Sequence, residues 1–412
     1  MNHSIRIKPF QLLFLLIFGV STLQAQDKPF RIVGYVPSWG DVASLTQSFD
    51  FKQVTHINYA FQNPDASGNL VGSNLGLPAL VTKAHANNVK VLVSIGGGSA
   101  ADGIIKDYFL NLISTADKRA AFIHKIALYL KGYKLDGLDV DEEGPAINSN
   151  YGAFIKQLAD SLKPKGYLLT TAVGWGNEKI LNTTLPLFDY MALMAYDYTG
   201  DWNQTRPGQH APYWYAQQMI NDFVKRGVKK ENLCLGLPFY GYGFYKLPGS
   251  YNYNTILTKY PNAWQTDQVG DTIYYNGMNT IWKKTKLALA QTSGVMIWEL
   301  SNEVKGERSL LRVINLTVDS MSVSASASLL RDKGFKIYPN PANDHLIIET
   351  PNSLSLGRVN ILTINGSIVQ TLSLQPAGGT ESQVNISGLT RGEYICQVTS
   401  GDGIFAKLFV KE

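Results

Sequence analysis

Between Arg31 and Leu300 of this 412-residue chain, short β-branched runs alternate with helical patterns, and that alternation limits the architecture more than any other feature. The runs RIVGYV (31–36), VTHINYAF (54–61), KVLVSI (90–95), KLDGLDVD (134–141), LLTTAV (168–173), YMALMAYD (190–197), LCLGLP (233–238) and GVMIWEL (294–300) read as strands. Between them, KRAAFIHKIALYLKG repeats apolar residues every fourth position at Phe122, Ile126 and Leu130, and YGAFIKQLADSLKPKG and YWYAQQMINDFVKRG behave likewise. The alternation predicts an α/β fold, a (β/α)8 TIM barrel, with a doubly wound sheet as the alternative. In a barrel, functional side chains gather at the C-terminal ends of the strands.

The fourth strand ends in acid. KLDGLDVDEEGP (134–145) carries five carboxylates between Asp136 and Glu143, and burying charge is costly unless it is paired, ligated or protonated. Side chains alternate along a strand, so Asp139, Asp141 and Glu143 share one face, while Leu138, Val140 and Glu142 share the other. Neighbours on the acidic face lie about 7 Å apart at about 3.3 Å rise per residue. Crowded like charges raise one another's pKa, which keeps a carboxyl protonated near neutral pH, as a general acid requires. Glu143, the outermost, is the candidate acid; Glu142 faces the helices, and Asp136, out of phase, supports the strand from below. A calcium loop is the rival, because Asp139, Asp141, Glu143 and Gly144 mimic the start of an EF-hand. Against it stand Asn150 at the twelfth position, Pro145 after the glycine, and a strand leading in.

Other motifs are weaker alone. VLVSIGGGSAADG (91–103) fits GxGxxA through Gly96, Gly98 and Ala101, but it follows the third strand, whereas a dinucleotide fingerprint belongs on the first. Its glycines suit close approach of the backbone to a ligand or a neighbouring strand. YMALMAYD places Tyr190, Met194 and Tyr196 on one face with Asp197 at the end. The Tyr196 hydroxyl either orients a substrate carbonyl or is core, and Tyr190 is core. Trp298 ends the eighth strand, where an indole offers a flat floor for a sugar ring or simply packs. Six histidines lie scattered without HExxH or zinc spacing, and no GxSxG elbow occurs, which disfavours metal and serine hydrolases. No metal and no cofactor is expected.

The N-terminus reads as a signal peptide over 1–25: Arg6 and Lys8, then QLLFLLIFGV, then STLQAQ, with an uncleaved anchor as the alternative. The formal charge of +5 is diffuse and falls toward neutral once that segment is removed, so nucleic acid is not an expected partner. Export permits a disulfide, yet Cys234 and Cys396 fall in different predicted domains, and Cys234 reads as a buried free thiol. The domains expected are a barrel over 29–315, a Ser/Ala-rich linker over 316–332 containing TVDSMSVSASAS, and a small β-sandwich over 333–412. Turn signals at Asn365–Gly366 and SGDG punctuate the last of these.

Taken together, the barrel motifs resemble glycoside hydrolase family 18 chitinases. DGLDVDEE corresponds to the family's DGxDxDxE, SIGG (94–97) to its SxGG, MAYD (194–197) to its MxYD, and LGLPFYG (235–241) and GVMIWEL to its seventh and eighth strands. GYVPSW and INYAF are similar to its first two. Glu142 departs from the pattern, where an aromatic residue often stands. The resemblance implies substrate-assisted retaining hydrolysis of β-1,4-linked N-acetylglucosamine chains, the family being an exception to the two-carboxylate scheme. It implies Glu143 as proton donor, Asp141 orienting the substrate acetamido nitrogen, Asp139 sharing a proton with Asp141, and Tyr196 with Asp197 at the acetamido oxygen. Trp298 would floor the subsite on the non-reducing side of the scissile bond, lined by Tyr35, Phe61, Gly97, Met194 and Tyr240, with Trp39, Trp175 and Trp202 in outer subsites. The stretch 245–293 reads as too short for the α/β insertion that deepens some members' grooves, so an open cleft and internal cuts are expected. An endo-β-N-acetylglucosaminidase acting on N-glycans and a silent chitin-binding lectin are the alternatives. The C-terminal region is similar to type A sorting domains of type IX secretion through YPNPAND, GLTRGEYICQV and KLFVKE. That similarity implies that the secretion machinery is a partner and that the chain ends outside the cell or on its outer surface; a monomer is expected.

Overall fold

The predicted strands close on themselves. In the computed structural model, which describes residues 30–174, 176–270, 272–329, 335–349, 356–363, 368–373, 381–400 and 403–412, eight parallel strands form a barrel. They are β1 (Arg31–Pro37), β2 (His56–Ala60), β3 (Lys90–Gly96), β4 (Gly137–Asp141), β5 (Leu168–Val173), β6 (Tyr190–Leu193), β7 (Leu233–Pro238) and β8 (Gly294–Trp298). Each pairs in sequence order with the next, and β1 pairs with β8 to close the ring. Outward residues such as Ile57, Val91, Val93, Leu138 and Val140 join the large core under the helices. Inward residues, among them Val33, Tyr35, Ala172, Tyr190, Ala192, Cys234 and Met296, form a separate cluster inside the ring. Alternation along each strand explains both layers at once.

Several local readings need correcting. The fourth strand starts at Gly137, because Lys134 takes a left-handed conformation (φ 57°) and closes the preceding helix, Ala116–Tyr133. Asp136 then anchors the strand's lower end, accepting from the Val91 N–H at 2.7 Å and facing His85 Nε2 at 2.8 Å. The sixth strand stops at Leu193, yet Met194 and Tyr196 still pack with Tyr190 in the inner cluster. The stretch after β7 carries an α/β element after all: the short strands Tyr240–Gly243, Gly249–Asn252, Gln268–Val269 and Ile273–Tyr274 form a sheet, joined by the helix Tyr253–Lys259. Two- to four-residue strands need little chain, which is why length alone misses them. The Ser/Ala-rich segment expected as a linker continues the helix Leu310–Leu329, since Ala, Met and Leu outweigh the weak cost of its serines. The expected signal peptide and the Asn365–Gly366 turn lie outside the described residues.

The C-terminal region forms two antiparallel sheets. One orders Lys336–Tyr338, His345–Glu349 and Glu381–Asn385; the other orders Ile368–Ser373, Leu356–Thr363, Gly392–Ser400 and Gly403–Lys411. Leu346, Ile348 and Val384 from the first meet Val359, Ile361, Cys396, Val398 and Phe409 from the second in one core, the packing of a sandwich. Cys234 and Cys396 are both buried and unpaired, and burial pushes each thiol up to about 12.

Two glycines draw β3 and β4 together at the mouth. Gly96 has φ 102°, and a Cβ there would lie 2.3 Å from the Asp141 carbonyl oxygen; Gly97, whose N–H donates to that oxygen at 2.7 Å, has φ 82°. These glycines serve a neighbouring strand rather than a dinucleotide. Gly96→Ala should destabilise the barrel by about 3 kcal/mol or more. Gly98→Ala, whose Cβ meets nothing nearer than 3.7 Å, should cost under about 1 kcal/mol. Thermal unfolding of both variants checks this, and equal melting temperatures would contradict the close-approach reading.

Candidate active site

The acids of β4 occupy three different environments. Asp139 is fully buried inside the ring and accepts hydroxyl bonds from Tyr35 on β1 (2.6 Å), Ser94 on β3 (2.8 Å) and Thr170 on β5 (2.6 Å). Burial raises its pKa, and the hydroxyl bonds oppose that rise. The same burial, with the charge of Asp139 beside it, holds the Tyr35 phenol far above its ordinary value, so it remains a donor. With both oxygens of Asp139 bonded to hydroxyls and the acids strung along an extended strand, no EF-hand loop forms here.

Asp141 comes next toward the mouth. It is buried, its Oδ1 has no protein partner, and its pKa is raised well above the carboxylate range, first by burial and then by Glu143, Asp139 and Glu142. Glu143 follows on extended backbone (φ −125°, ψ 155°) just past the strand, half-buried at the rim. Burial first, and the charge of Asp197 second, push its pKa up to about 7. Glu142 takes the opposite face, as the alternation predicts. It is buried on the side of the helix Tyr151–Leu162, its Oε2 lacks a protein partner, and burial pushes its pKa to about 8. Near pH 7 this strand therefore holds protons, and the outermost one faces solvent.

The remaining rim is aromatic and polar. Trp298 lies 5.3 Å from Tyr35 and is stacked at 5.7 Å on Phe61, which stacks in turn on the exposed Trp39 at 6.3 Å. Gly97 makes room for this group, because a Cβ there would lie 2.4 Å from the Phe61 ring. Tyr196 is buried and points its hydroxyl across the ring toward Met296 Sδ (3.8 Å); after burial, the charges of Asp141, Asp197 and Glu143 raise its pKa. Met194 packs beside it in the inner cluster, against Gly174. Asp197, at φ 60°, accepts the Tyr240 hydroxyl at 2.5 Å and faces His210 Nδ1 at 3.2 Å. Trp202 is 61% exposed on the loop after β6, packed edge-on against Tyr242 at 5.0 Å and apart from the Trp298 group. Trp175 lies outside the described residues.

Sequence reasoning misses four neighbours. Ser94 opens the SIGG motif but carries no assigned role there, and Thr170 is an ordinary strand residue whose inward phase is the only signal that it bonds to Asp139. Asn58, buried on β2, borders the same carboxylate and helps to hold its pKa down. His210 has no motif of its own; it reaches the site through the loop after β6.

Residues 31–303 match the family model Glycosyl hydrolases family 18, and residues 336–412 match the model Secretion system C-terminal sorting domain. The fold resembles that of the GH18 chitinase ChiB from the chitin utilization locus of Flavobacterium johnsoniae. That similarity has a TM-score of 0.67 and 34% identity, over 71% of this chain and 95% of that one. A chitinase from Bacteroides thetaiotaomicron gives a TM-score of 0.62 at 28% identity, over 70% and 96% of the two chains. A chitinase-like effector of Moniliophthora roreri is 30% identical over 244 residues, 51% of this chain; the chain spans 58% of that protein's length.

Glu142 yields a test of the dry strand that needs no substrate. Its folded pKa of about 8 exceeds the unfolded value, so its contribution to stability is full below about 4.3 and is lost as pH rises through 8. Glu142→Gln cannot ionise. It should come close to the parent at pH 4.5 and exceed it by on the order of 5 kcal/mol at pH 8.5, from about 1.36 kcal/mol per unit between the two pKa values. Urea unfolding at the two pH values measures this; a stability difference independent of pH would contradict the buried, protonated state.

Proposed function

The chain belongs to glycosyl hydrolases family 18, and we propose that it is an exported chitinase that cleaves β-1,4-linked N-acetylglucosamine chains with retention, using the substrate's own acetamido group as nucleophile. The observation that carries this reading is the pairing on β4. Burial and the charge of Asp197 push the Glu143 pKa at the rim up to about 7, and Asp141 beside it has an oxygen without a protein partner. Both acids stand on one strand, so they share one wall of the mouth and do not flank a sugar ring from opposite sides as the usual pair of carboxyls does.

Glu143 donates its proton to the glycosidic oxygen while that bond breaks. The acetamido carbonyl oxygen forms a bond to the anomeric carbon, giving an oxazolinium ion. Asp141 accepts the acetamido N–H and offsets the charge that develops on the ring nitrogen, and the Tyr196 hydroxyl donates to the acetamido oxygen. Glu143, now ionised, takes a proton from water as the water oxygen attacks the anomeric carbon. The second displacement restores the starting configuration and the protonated acid. Trp298, backed by Tyr35 and Phe61, supplies a flat floor for the sugar ring. Asp139, fixed by three hydroxyls, holds the base of the strand and shares a proton with Asp141, taking it up as the oxazolinium charge develops so that Asp141 is ionised at that stage.

The sorting domain supports export of the chain, and we assign it to type IX secretion across an outer membrane. Glu143→Gln should lower kcat by at least about 10³-fold while oligomer binding persists within about tenfold. Product analysis and calorimetry on N-acetylglucosamine oligomers check both, and near-normal turnover would move the acid elsewhere. Fully deacetylated chitosan lacks the acetamido nucleophile and should not be cleaved; efficient hydrolysis would overturn the substrate-assisted route. A high-mannose glycoprotein in the same assay separates the substrates, because release of its glycan without cleavage of chitin oligomers would assign the chain to N-glycans.

A further inference from the structure

We propose that His210 is held as an imidazolium paired with Asp197, and that this buried cation is a positioning residue that offsets the negative charge Asp197 presents to Glu143. The kinetic half of this inference rests on the acid role assigned to Glu143; the charge state of His210 stands apart from it.

The observation is one of matching donors to acceptors. The His210 side chain is completely buried. Its Nε2 lies 3.2 Å from the Tyr240 carbonyl oxygen, which can only accept, and its Nδ1 lies 3.2 Å from Asp197 Oδ1. That oxygen accepts the Tyr240 hydroxyl and, with Asp197 ionised, has no proton of its own to give. A neutral imidazole carries one N–H and would turn a bare lone pair toward one of these oxygens. In a dry pocket, that mismatch costs as much as an unmade hydrogen bond. Only the doubly protonated ring satisfies both contacts.

The ring has little room to move away. Lys284 Nζ donates to the adjoining Ala211 carbonyl at 2.7 Å and to Asn276 Oδ1 at 2.8 Å, and the His210 carbonyl accepts the Tyr198 N–H at 2.8 Å. The rings of Tyr240 and Tyr242 wall the imidazole at 4.9 and 5.2 Å. The ionisable groups facing His210 are thus Asp197, Tyr240 and Tyr242, with Lys284 one carbonyl away. Asp197, Asp141 and Glu142 are the acids near Glu143. Among these, Asp197 adds to burial in raising the Glu143 pKa, so the cation behind Asp197 limits that rise.

Two measurements on the full chain test the proposal. With the histidines labelled with nitrogen-15 and His210 assigned through the backbone, both of its ring nitrogens should remain protonated at pH 7.5, where a free imidazole is mostly neutral. One unprotonated ring nitrogen would overturn the pairing. In the pH profile of kcat/KM on N-acetylglucosamine oligomers, His210→Asn should move the alkaline limb up by about half a pH unit or more, because Asp197 then acts on Glu143 uncompensated. A uniform loss of rate with an unmoved limb would reduce His210 to a structural part and overturn the charge role. If the unaltered chain fails to cleave the oligomers, the proposed activity falls, and the ring nitrogens alone uphold or overturn the pairing.

Discussion

Three carboxyls on the inward face of one dry strand cannot all be charged, and the rest of the mouth is arranged around that limit. At a separation of about 7 Å and an effective dielectric of about 20, two such charges repel by roughly 2 kcal/mol, before any cost of burial. The deepest, Asp139, is the one supplied with donors, from hydroxyls on β1, β3 and β5. Asp141 and Glu143 have no comparable donors, so nothing opposes the rise that burial and neighbouring charges impose on their pKa values. The strand thereby delivers a proton at its outer end, where a substrate oxygen would meet it.

The barrel suits this chemistry because each neighbour contributes one group at a fixed height. Gly96 lets β3 run against the end of β4, so the acids cannot shift along their own strand. Across the mouth, β8 ends in Trp298 and β2 leads into Phe61, which together set an apolar floor opposite the acidic wall. Asp197 links the two sides electrostatically. It raises the Glu143 pKa while it is itself tied to Tyr240 and His210 on its far side.

The barrel is legible in the sequence because alternation, periodicity and the order of five motifs all agree. Asp139, Asp141 and Glu143 are legible by phase alone, since side chains of a strand alternate, and Glu142 falls on the predicted outer face. Residues whose role comes from tertiary contact are not legible. Ser94 and Thr170 bond to a carboxylate that is distant in the chain, and His210 arrives on a loop that no periodicity describes. Boundaries fail for a related reason. Lys134 reads as strand but caps a helix in a left-handed turn, and the serines of 317–328 read as a linker although the helix from Leu310 continues through them. The small sheet after β7 escapes notice because strands of two to four residues leave no period to detect.

The proton at the rim is the central claim, and the ionisation of Glu143 itself can be followed by carbon-13 NMR of the labelled carboxyl in the substrate-free chain. A midpoint near pH 7, well above the ordinary glutamate value of about 4.3, is the result that crowding and burial require. A midpoint near 4.3 would mean that Glu143 is ionised at neutral pH, and the rim would then present no proton for the glycosidic oxygen.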